Sequence, residues 1–293
     1  MEFYSAYHTD IGIKKETNQD SLLLMQCTAP QGDAIVFAVI CDGVGGLKQG
    51  ERASAEVVTA FRDWFNQQLP ELYQQEIPMT ALFNDWEKLI QSLHEALKEL
   101  SENAGFRSGT TVEALLLMKG NYYLCHVGDC RTYLLSDQIT QLTTDHTVVQ
   151  RELDEGKLTW QQAQKDPRQS ILLQCVGAGK EVHPDYLYGP IAPHQCFLLC
   201  CDGFRRKVTA AELQKICKYT KKEKNLKESL SKITQLCKNR KETDNITSIL
   251  ISVSDEPKGI LSHFLKPRHA EAGKFRTTKN VLLEHSNSED ITL

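Results

Sequence analysis

Short apolar runs separated by turn-sized polar segments make up much of this chain. The runs contain mostly leucine, β-branched, aromatic and cysteine residues over the length of a buried strand, so we predict a β-strand in each. The predicted strands span residues 21–27, 34–41, 112–120, 122–128, 131–136, 196–203 and 246–253. Connections as short as "GDCR" join neighbouring runs, which favours antiparallel pairing.

Four longer segments repeat apolar side chains at helical spacing, and we predict that each forms an α-helix. The predicted helices span residues 51–68, 81–100, 147–165 and 209–238. Strands and helices are mixed without the regular order of βαβ units. The pattern therefore predicts an α+β fold in which helices cover antiparallel sheets.

The pattern changes after Val253. Residues 255–293 are mostly polar, contain two prolines and show no sustained periodicity. We therefore predict a domain over residues 1–254 and a C-terminal tail over residues 255–293 that is flexible or docked onto another surface. The short apolar pieces "ILSHFL" and "NVLL" are candidate docking segments within this tail.

Composition and charge narrow the classes of function. The chain has 293 residues, of which 41% are hydrophobic and 25% charged, as in an ordinary soluble globular protein. A formal net charge of −4 argues against nucleic acid or an anionic membrane as the main partner. No apolar run approaches the roughly 20 residues that cross a bilayer, and the N-terminus lacks the features of a signal peptide, so we expect a cytoplasmic protein.

Ten cysteines occur in the chain, and none forms the C-x-x-C pair of a structural zinc site. Most of them lie inside the apolar runs. We expect free thiols that pack in the core of a protein from a reducing compartment.

Aspartates stand where several predicted strands meet turns. Asp42 ends one apolar run, Asp129 and Asp202 follow two others, and Asp20 and Asp244 precede strands. Carboxylates that converge at one edge would repel each other and raise one another's pKa values unless cations lay between them. Because Mg²⁺ and Mn²⁺ prefer oxygen ligands of this kind, the pattern indicates a divalent metal site.

Two of these aspartates also have simpler explanations. Asp-Gly is an ordinary turn dipeptide, so Asp42 and Gly43 by themselves are consistent with a plain turn. Asp129 is consistent with a turn residue that pairs with Arg131. In the metal-site interpretation, the glycines after Asp42 and Asp202 let the backbone approach an ion closely, and a glycine carbonyl can itself bind it.

Seven motifs in order over about residues 5–254 resemble those of the type 2C (PPM) family of metal-dependent protein serine/threonine phosphatases. The motifs are "KKETNQDS", "CDGVGG", "SGTT", "HVGDCRTYLL", "LTTDHT", "LLCCDGF" and "DNITSILI". The segment "VVQRELDEGKLTWQQA" is also similar to one that bacterial members carry after the motif that contains Asp145 and His146. Each motif alone is weak evidence, and their order makes the resemblance specific.

The resemblance implies an αββα sandwich, in which two antiparallel β-sheets are flanked by helices and two metal ions lie at one end. By motif position, Asp42 would bridge both ions, and the Gly43 carbonyl would bind the first. Asp202 and Asp244 would hold the second ion, while Asp20 would orient a metal-bound water.

The implied reaction is hydrolysis of phosphoserine and phosphothreonine on proteins by a hydroxide that bridges two Mn²⁺ or Mg²⁺ ions. Asp129 would help Asp202 to hold a possible third, weaker ion. The implied partners are phosphorylated proteins and a eukaryotic-like Ser/Thr kinase, and no nucleic acid or membrane is expected as a partner.

Several positions near this site depart from the family pattern. Lys15 stands where an arginine usually grips the substrate phosphate, and a lysine offers no bidentate fork. Gln19 replaces a glutamate near the second ion, where an amide oxygen would still bind or orient water with weaker metal affinity. Val44 replaces a histidine assigned as general acid in animal members. Arg205 and Arg206 stand where members often carry Thr-Asp.

These departures leave an alternative function open. A catalytically weakened pseudophosphatase would bind phosphoproteins without turning them over, and Lys15, Gln19 and Val44 motivate this hypothesis. The presence of Asp42 and the other expected ligands favours the enzyme. A metal-dependent nuclease would share the carboxylate chemistry, but the acidic net charge argues against it.

Overall fold

The fold is a sandwich of two antiparallel β-sheets with helices on its outer faces, seen in a computed structural model of the chain. The structure describes residues 1–44, 49–74, 79–105, 107–218, 223–254 and 275–284. This architecture confirms the predicted α+β class and the αββα arrangement. Within the described ranges, no helix combines the length and the apolar character needed to cross a membrane.

Within the described residues, eleven strands build the two sheets. In chain order they are β1 (Glu2–Asp10), β2 (Asp20–Thr28), β3 (Ala34–Asp42), β4 (Val112–Met118), β5 (Asn121–Val127), β6 (Arg131–Leu135), β7 (Ile139–Gln141), β8 (Asp185–Pro190), β9 (Cys196–Cys200), β10 (Ile246–Ser254) and β11 (Arg276–Leu283). The first sheet has the order β1-β10-β9-β6-β7, and the second has the order β11-β2-β3-β4-β5-β8. All neighbouring strands in both sheets are antiparallel.

Helices cover the outer face of each sheet. The helices of the described residues are, in chain order, α1 (Gly50–Gln67), α2 (Leu69–Gln74), α3 (Met79–Ala104), α4 (Val148–Asp154), α5 (Trp160–Ala163), α6 (Asp202–Arg205), α7 (Ala210–Lys218) and α8 (Glu223–Asn239). The apolar faces of α1 and α3 pack on the second sheet, and those of α7 and α8 pack on the first.

Strand β3 shows why some apolar runs are unbroken. Ala38 and Ile40 point into the core between the two sheets, whereas Phe37 and Val39 point into the core under the helices. Phe37 stacks on Phe65 of α1 with ring centroids 5.4 Å apart. A strand that is buried on both faces needs apolar residues at every position rather than at alternate ones.

The structure contains all seven predicted strands and the predicted helices over 51–68 and 81–100. The predicted helix over 147–165 is instead two short helices, because the chain turns through Gly156, which has a positive φ of 70°. The predicted helix over 209–238 is likewise two helices, α7 and α8, and residues 219–222 between them lie outside the described part.

Four strands were not predicted from the sequence. They are β1, β7, β8 and β11, which are the edge strands of the two sheets. Edge strands pair on one side only and leave most of their positions partly or fully exposed, so they lack a continuous apolar run. Their absence from the prediction therefore follows from their place in the sheets.

The C-terminal tail was expected to be flexible or docked, and the part of it that the structure describes is docked onto the second sheet. Residues 276–283 form β11, which pairs with β2 from Arg276↔Thr28 to Leu283↔Leu22. The piece "NVLL" lies within this strand, as expected for a docking segment, whereas "ILSHFL" lies outside the described residues. The domain boundary at residue 254 stays a prediction.

The cysteines behave as expected from the sequence. The nine whose side chains are described are buried free thiols. Burial raises the pKa of several of them, including Cys27 to about 12 and Cys175 to about 11. These thiols therefore remain protonated at neutral pH.

Candidate metal centre

Strand ends from both sheets meet at one end of the sandwich. In the second sheet Asp20 begins β2, Asp42 ends β3, and the register of these strands places the two residues directly opposite each other. In the first sheet Asp202 follows β9 and Asp244 precedes β10, at the adjacent ends of two paired strands. The topology thus brings together four of the aspartates that the sequence singled out.

Asp20 and Asp42 form the centre of this cluster. One carboxylate oxygen of each residue and the Cys201 sulfur lie within 4.8 Å of one another. Asp20 is 3% exposed, and neither of its carboxylate oxygens has a well-formed hydrogen bond within the described part of the chain. Buried carboxylates without partners are costly, which points to a cation as their natural partner.

The electrostatics of the cluster agree with this geometry. Burial, together with the charges of Asp202 and Asp244, raises the pKa of Asp20 to about 7, and the nearby side chains of Thr247 and Cys201 offset this rise only in part. Burial and the surrounding aspartates, Asp20 first among them, raise the pKa of Asp42 well above its ordinary value. Mutual repulsion of this kind is relieved when a divalent cation lies between the carboxylates.

Asp202 and Asp244 complete the cluster from the other sheet, and each already has a cationic neighbour. Asp202 is bonded to Arg206 through one carboxylate oxygen, while its Oδ1 is buried without a hydrogen bond from the described residues. Lys15 Nζ lies 2.7 Å from Asp244 Oδ1. Burial lowers the pKa of Lys15, but the bond to Asp244 and the nearby carboxylates outweigh it, so the net pKa is raised and the ammonium stays charged.

Asp129 lies in the turn between β5 and β6, where its partner differs from the one considered in the simple turn interpretation. Arg131 binds Asp145 through two hydrogen bonds of 2.7 and 2.8 Å. Asp129 is bonded instead to Arg205, whose Nη2 lies 3.2 Å from Asp129 Oδ2. The pairing of Asp129 with Arg131 is therefore wrong, because Arg131 reaches across to the "TTDHT" segment.

Gly43 has a tight position beside the cluster. Its amide donates to the Gln19 carbonyl over 3.0 Å. A Cβ at Gly43 would lie 2.5 Å from the backbone of Gly50 and 2.7 Å from the Gln19 oxygen. Only glycine fits between these two segments, which explains the residue even before any ion is considered.

Gln19 is held from two sides. Its amide N–H donates to Asn245 Oδ1 over 2.9 Å, and its side-chain Nε2 donates to Glu51 Oε2 over 3.2 Å. Glu51, in the first turn of α1, was not singled out from the sequence.

Val44 donates its N–H to the Gly109 carbonyl over 2.9 Å, and the chain then enters residues 45–48, which are not described.

Cys201 is a second residue that the sequence did not single out for the site. Its thiol accepts a hydrogen bond from the Thr247 N–H over 3.1 Å and donates to the Asn245 carbonyl over 3.5 Å. Burial and the nearby aspartates raise its pKa well above the ordinary value. A protonated thiol is a poor ligand for hard cations, so Cys201 fastens the segment before Asp202 to β10.

His146 belongs to a structural network beside the cluster. Its Nδ1 accepts a hydrogen bond from the Gly128 N–H over 3.1 Å, and its Nε2 lies 3.1 Å from Asp185 Oδ2. The ring packs against His126 with centroids 4.6 Å apart. These contacts hold the turn that contains Asp129 against the second sheet.

The ligand atoms of the cluster suit divalent cations around Asp20, Asp42 and Asp202 but not around Asp129. Asp20, Asp42 and Asp202 Oδ1 are oxygen donors at a buried strand edge, and Mn²⁺ and Mg²⁺ take such ligands. Asp129 differs because a guanidinium already contacts its carboxylate. The arrangement can hold cations and bring an anionic substrate to them.

The sequence profile of protein phosphatase 2C matches residues 12–250. A protein phosphatase 2C-type protein from Streptococcus pyogenes serotype M6 is 30% identical over 254 residues, which cover 85% of this chain and 96% of that protein.

Solved structures agree with the sequence comparison. The serine/threonine phosphatase of S. agalactiae matches with a TM-score of 0.74 and 26% identity, over 86% of this chain and 100% of that one. The catalytic domain of the serine/threonine protein phosphatase PstP, solved in complex with two manganese ions, matches with a TM-score of 0.69 and 26% identity, over 86% and 99% of the two chains.

Proposed function

This chain belongs to the protein phosphatase 2C family, and on that premise we propose that it hydrolyses phosphoserine and phosphothreonine on proteins with two divalent cations. One observation carries the proposal. The two carboxylate oxygens of Asp20 are buried without a well-formed hydrogen bond from the described residues, directly opposite Asp42. A protein keeps such a costly arrangement where an ion or substrate satisfies it.

Asp42, Gly43, Asp202 and Asp244 are the ligands that we propose for the two ions. Asp42 and the Gly43 carbonyl would bind the first cation, and Asp42, Asp202 and Asp244 would bind the second. The cations, Mn²⁺ or Mg²⁺, would supply charge neutralisation of the phosphoryl group and a hydroxide near neutral pH. The side-chain oxygen of Gln19 would orient a water at the edge of this set.

The chain's own groups bind and orient the substrate. Lys15 would contact a phosphoryl oxygen through its ammonium, which Asp244 holds in place over 2.7 Å. Asp20 would accept a hydrogen bond from the attacking water through its carboxylate and so fix its direction of attack. Val44 has no proton to give, so the leaving serine or threonine oxygen would take its proton from solvent.

The substrates and cell compartment follow from the same premise. We expect phosphorylated proteins as substrates, produced by a eukaryotic-like Ser/Thr kinase in the cytoplasm. A pseudophosphatase that binds such proteins is the second candidate. It is favoured by the contacts that Lys15 and Arg206 make with Asp244 and Asp202, because these cations compete for the same carboxylates.

Hydrolysis assays decide between these two functions. The assays use p-nitrophenyl phosphate and a phosphothreonine peptide, with Mn²⁺, with Mg²⁺ and with EDTA. Asp42→Asn is compared with Asp137→Asn, which changes an exposed aspartate in the turn between β6 and β7. We expect Asp42→Asn to lower kcat/KM at least about a hundredfold, because even indirect contacts to a metal ligand are worth up to that much.

The outcomes separate the candidates. Turnover that requires metal and is lost in Asp42→Asn but kept in Asp137→Asn supports the enzyme. Binding of the phosphopeptide without turnover in the unchanged protein supports the pseudophosphatase. Turnover that EDTA leaves intact contradicts the metal-dependent reaction altogether.

A further inference from the structure

The carboxylates of the metal centre fall into two groups that differ in their cationic partners. Asp20 and Asp42 face no lysine or arginine within ion-pair distance in the described part of the chain. Asp129, Asp145 and Asp202 each have a guanidinium partner. We call this second group the guanidinium side.

Arg205 forms the buried part of the guanidinium side. Its side chain is 9% exposed, and its Nη2 lies 3.2 Å from Asp129 Oδ2 and 3.1 Å from Asp145 Oδ2. Its Nε also donates to the Asp129 carbonyl over 3.2 Å. Burial lowers the pKa of Arg205, but Asp145 and Asp129 outweigh this, so the net pKa is raised and the guanidinium stays charged.

Arg206 forms the outer part of the guanidinium side. It follows Asp202 by four residues through the turn of α6, which brings the two side chains onto one face, where they are bonded to each other. Its Nη2 also donates to Ser170 Oγ over 2.7 Å, and its Nη1 lies 3.7 Å from Asp244 Oδ2. Arg206 and Lys15 therefore approach the same carboxylate, Asp244, from the rim of the site.

A divalent cation between Asp129 and Asp202 does not fit this arrangement. An ion there would compete with Arg205 for Asp129, whereas Asp202 Oδ1 has no hydrogen bond from the described residues and stays open to the second ion. Displacement of Arg205 would leave a buried guanidinium without one of its two carboxylates, which is unfavourable. Guanidinium groups, unlike ions, are attached to the chain and are present at any metal concentration.

We propose that the guanidinium groups of Arg205 and Arg206 take the place of a third divalent cation, so that the protein binds two ions and Arg206 is the additional positive charge that contacts the phosphoryl group. This inference rests on the proposed phosphatase function and adds a residue to it. Arg206 also supplies the planar fork that Lys15 lacks.

The first test counts Mn²⁺ ions per chain by isothermal titration calorimetry and by electron paramagnetic resonance of free Mn²⁺. The unchanged protein is compared with Asp129→Asn. We expect the same count, near two, in both proteins, because Arg205 rather than an ion contacts Asp129. One ion fewer in Asp129→Asn would overturn the proposal.

A second comparison of variants tests whether Arg205 is the group that excludes a third ion. Arg205→Met should gain one Mn²⁺ that disappears again in the Arg205→Met/Asp129→Asn double variant. Arg240→Met is the control, since Arg240 pairs with Glu212 away from the centre, and it should keep the original count. A folded Arg205→Met protein without the extra ion would overturn the role of Arg205. If circular dichroism shows that it does not fold, the Asp129→Asn comparison still decides.

The third test measures inhibition by inorganic phosphate, which reports on Arg206 directly. Arg206→Met should raise the inhibition constant about tenfold, the value of one lost charged hydrogen bond. Arg206→Lys should recover part of this loss. An unchanged inhibition constant in Arg206→Met would overturn the contact with the phosphoryl group.

A failure of the phosphatase function itself gives a different result. In that case the unchanged protein binds fewer than two Mn²⁺ ions and hydrolyses nothing.

Discussion

Two clusters of buried charge lie between the two sheets of this protein, and they differ in whether their polar atoms have partners. Glu113 and His126 are opposite each other on β4 and β5, fully buried and 2.6 Å apart between Glu113 Oε2 and His126 Nδ1. Thr132 donates to the second oxygen of Glu113, and His126 Nε2 lies 2.9 Å from the Thr144 carbonyl. Asp20 and Asp42 are also opposite each other, but no cationic side chain of the described residues pairs with them, and the nearest neighbours include the Cys201 thiol.

The difference teaches that burial of charge does not by itself mark a functional site. The Glu113 cluster is complete within the protein, so it stabilises and orients the strands that carry it. The Asp20 cluster is incomplete and strained by repulsion, so it requires something from outside the chain. Opposite effects are therefore expected when the two clusters are perturbed.

The largest expected effect on stability comes from the complete cluster. Glu113→Gln should lower the free energy of unfolding by about 3 kcal/mol, because it leaves the buried His126 without its charged partner. Urea denaturation measures this change. Glu95→Gln, at an exposed position of α3, is the control and should stay within about 0.5 kcal/mol. A Glu113→Gln protein as stable as this control would contradict the expectation that the Glu113 cluster stabilises the fold.

The next effect comes from the incomplete cluster. Each Mn²⁺ bound at a hundred times its dissociation constant should raise the free energy of unfolding by about 2.7 kcal/mol, because the ion binds only the folded protein. Urea denaturation with Mn²⁺ and with EDTA measures the difference. Glu113→Gln should keep this increment, and Asp42→Asn should lose it. Equal increments in Asp42→Asn and the unchanged protein would place the ions elsewhere.

The smallest effect is a pH dependence of the metal-free protein. The folded pKa of Asp20 is raised to about 7, above the ordinary value of about 3.9. The folded state therefore holds more protons than the unfolded state between these values, so stability falls as pH rises and the loss is complete above pH 7. We expect the fall from pH 5 to pH 8 in EDTA to exceed about 1.4 kcal/mol, the free energy of a tenfold change in proton affinity.

Asp20→Asn isolates the contribution of this carboxyl group to the pH dependence. The variant should show a flatter profile than the unchanged protein, because asparagine does not titrate. Denaturation in EDTA at four pH values from 5 to 8 is sufficient. Parallel profiles for the two proteins would show that Asp20 ionises freely in the fold.

The sequence allowed the interior strands and the aspartates of the centre to be predicted, and the reasons are physical. Strands buried on both faces, such as β3, need apolar residues throughout, and an aspartate at the end of such a run is conspicuous. The edge strands were missed because they carry no such run. The convergence of Asp20 with Asp42 was expected only from the aspartate pattern and the family resemblance.

Contacts between residues that are far apart in the sequence could not be predicted from the sequence. The contact of Arg205 with Asp129 joins positions 76 residues apart, and nothing in either local pattern encodes it. The pair Glu113 and His126 depends on the register of two strands, which apolar periodicity does not specify to a single residue. Arg131 was assigned the nearer aspartate for the same reason, whereas its partner is Asp145.

Strand β11 has a practical consequence for anyone who shortens this chain. The segment that matches the family profile ends at residue 250, and trimming near that point removes the strand that pairs with β2. The trimmed protein would present the N–H and C=O groups of β2, flanked by Leu22 and Leu24, as an open sheet edge. Such an edge recruits other chains, so a shortened preparation would tend to self-associate, and the strand that carries Asp20 would lose its outer support.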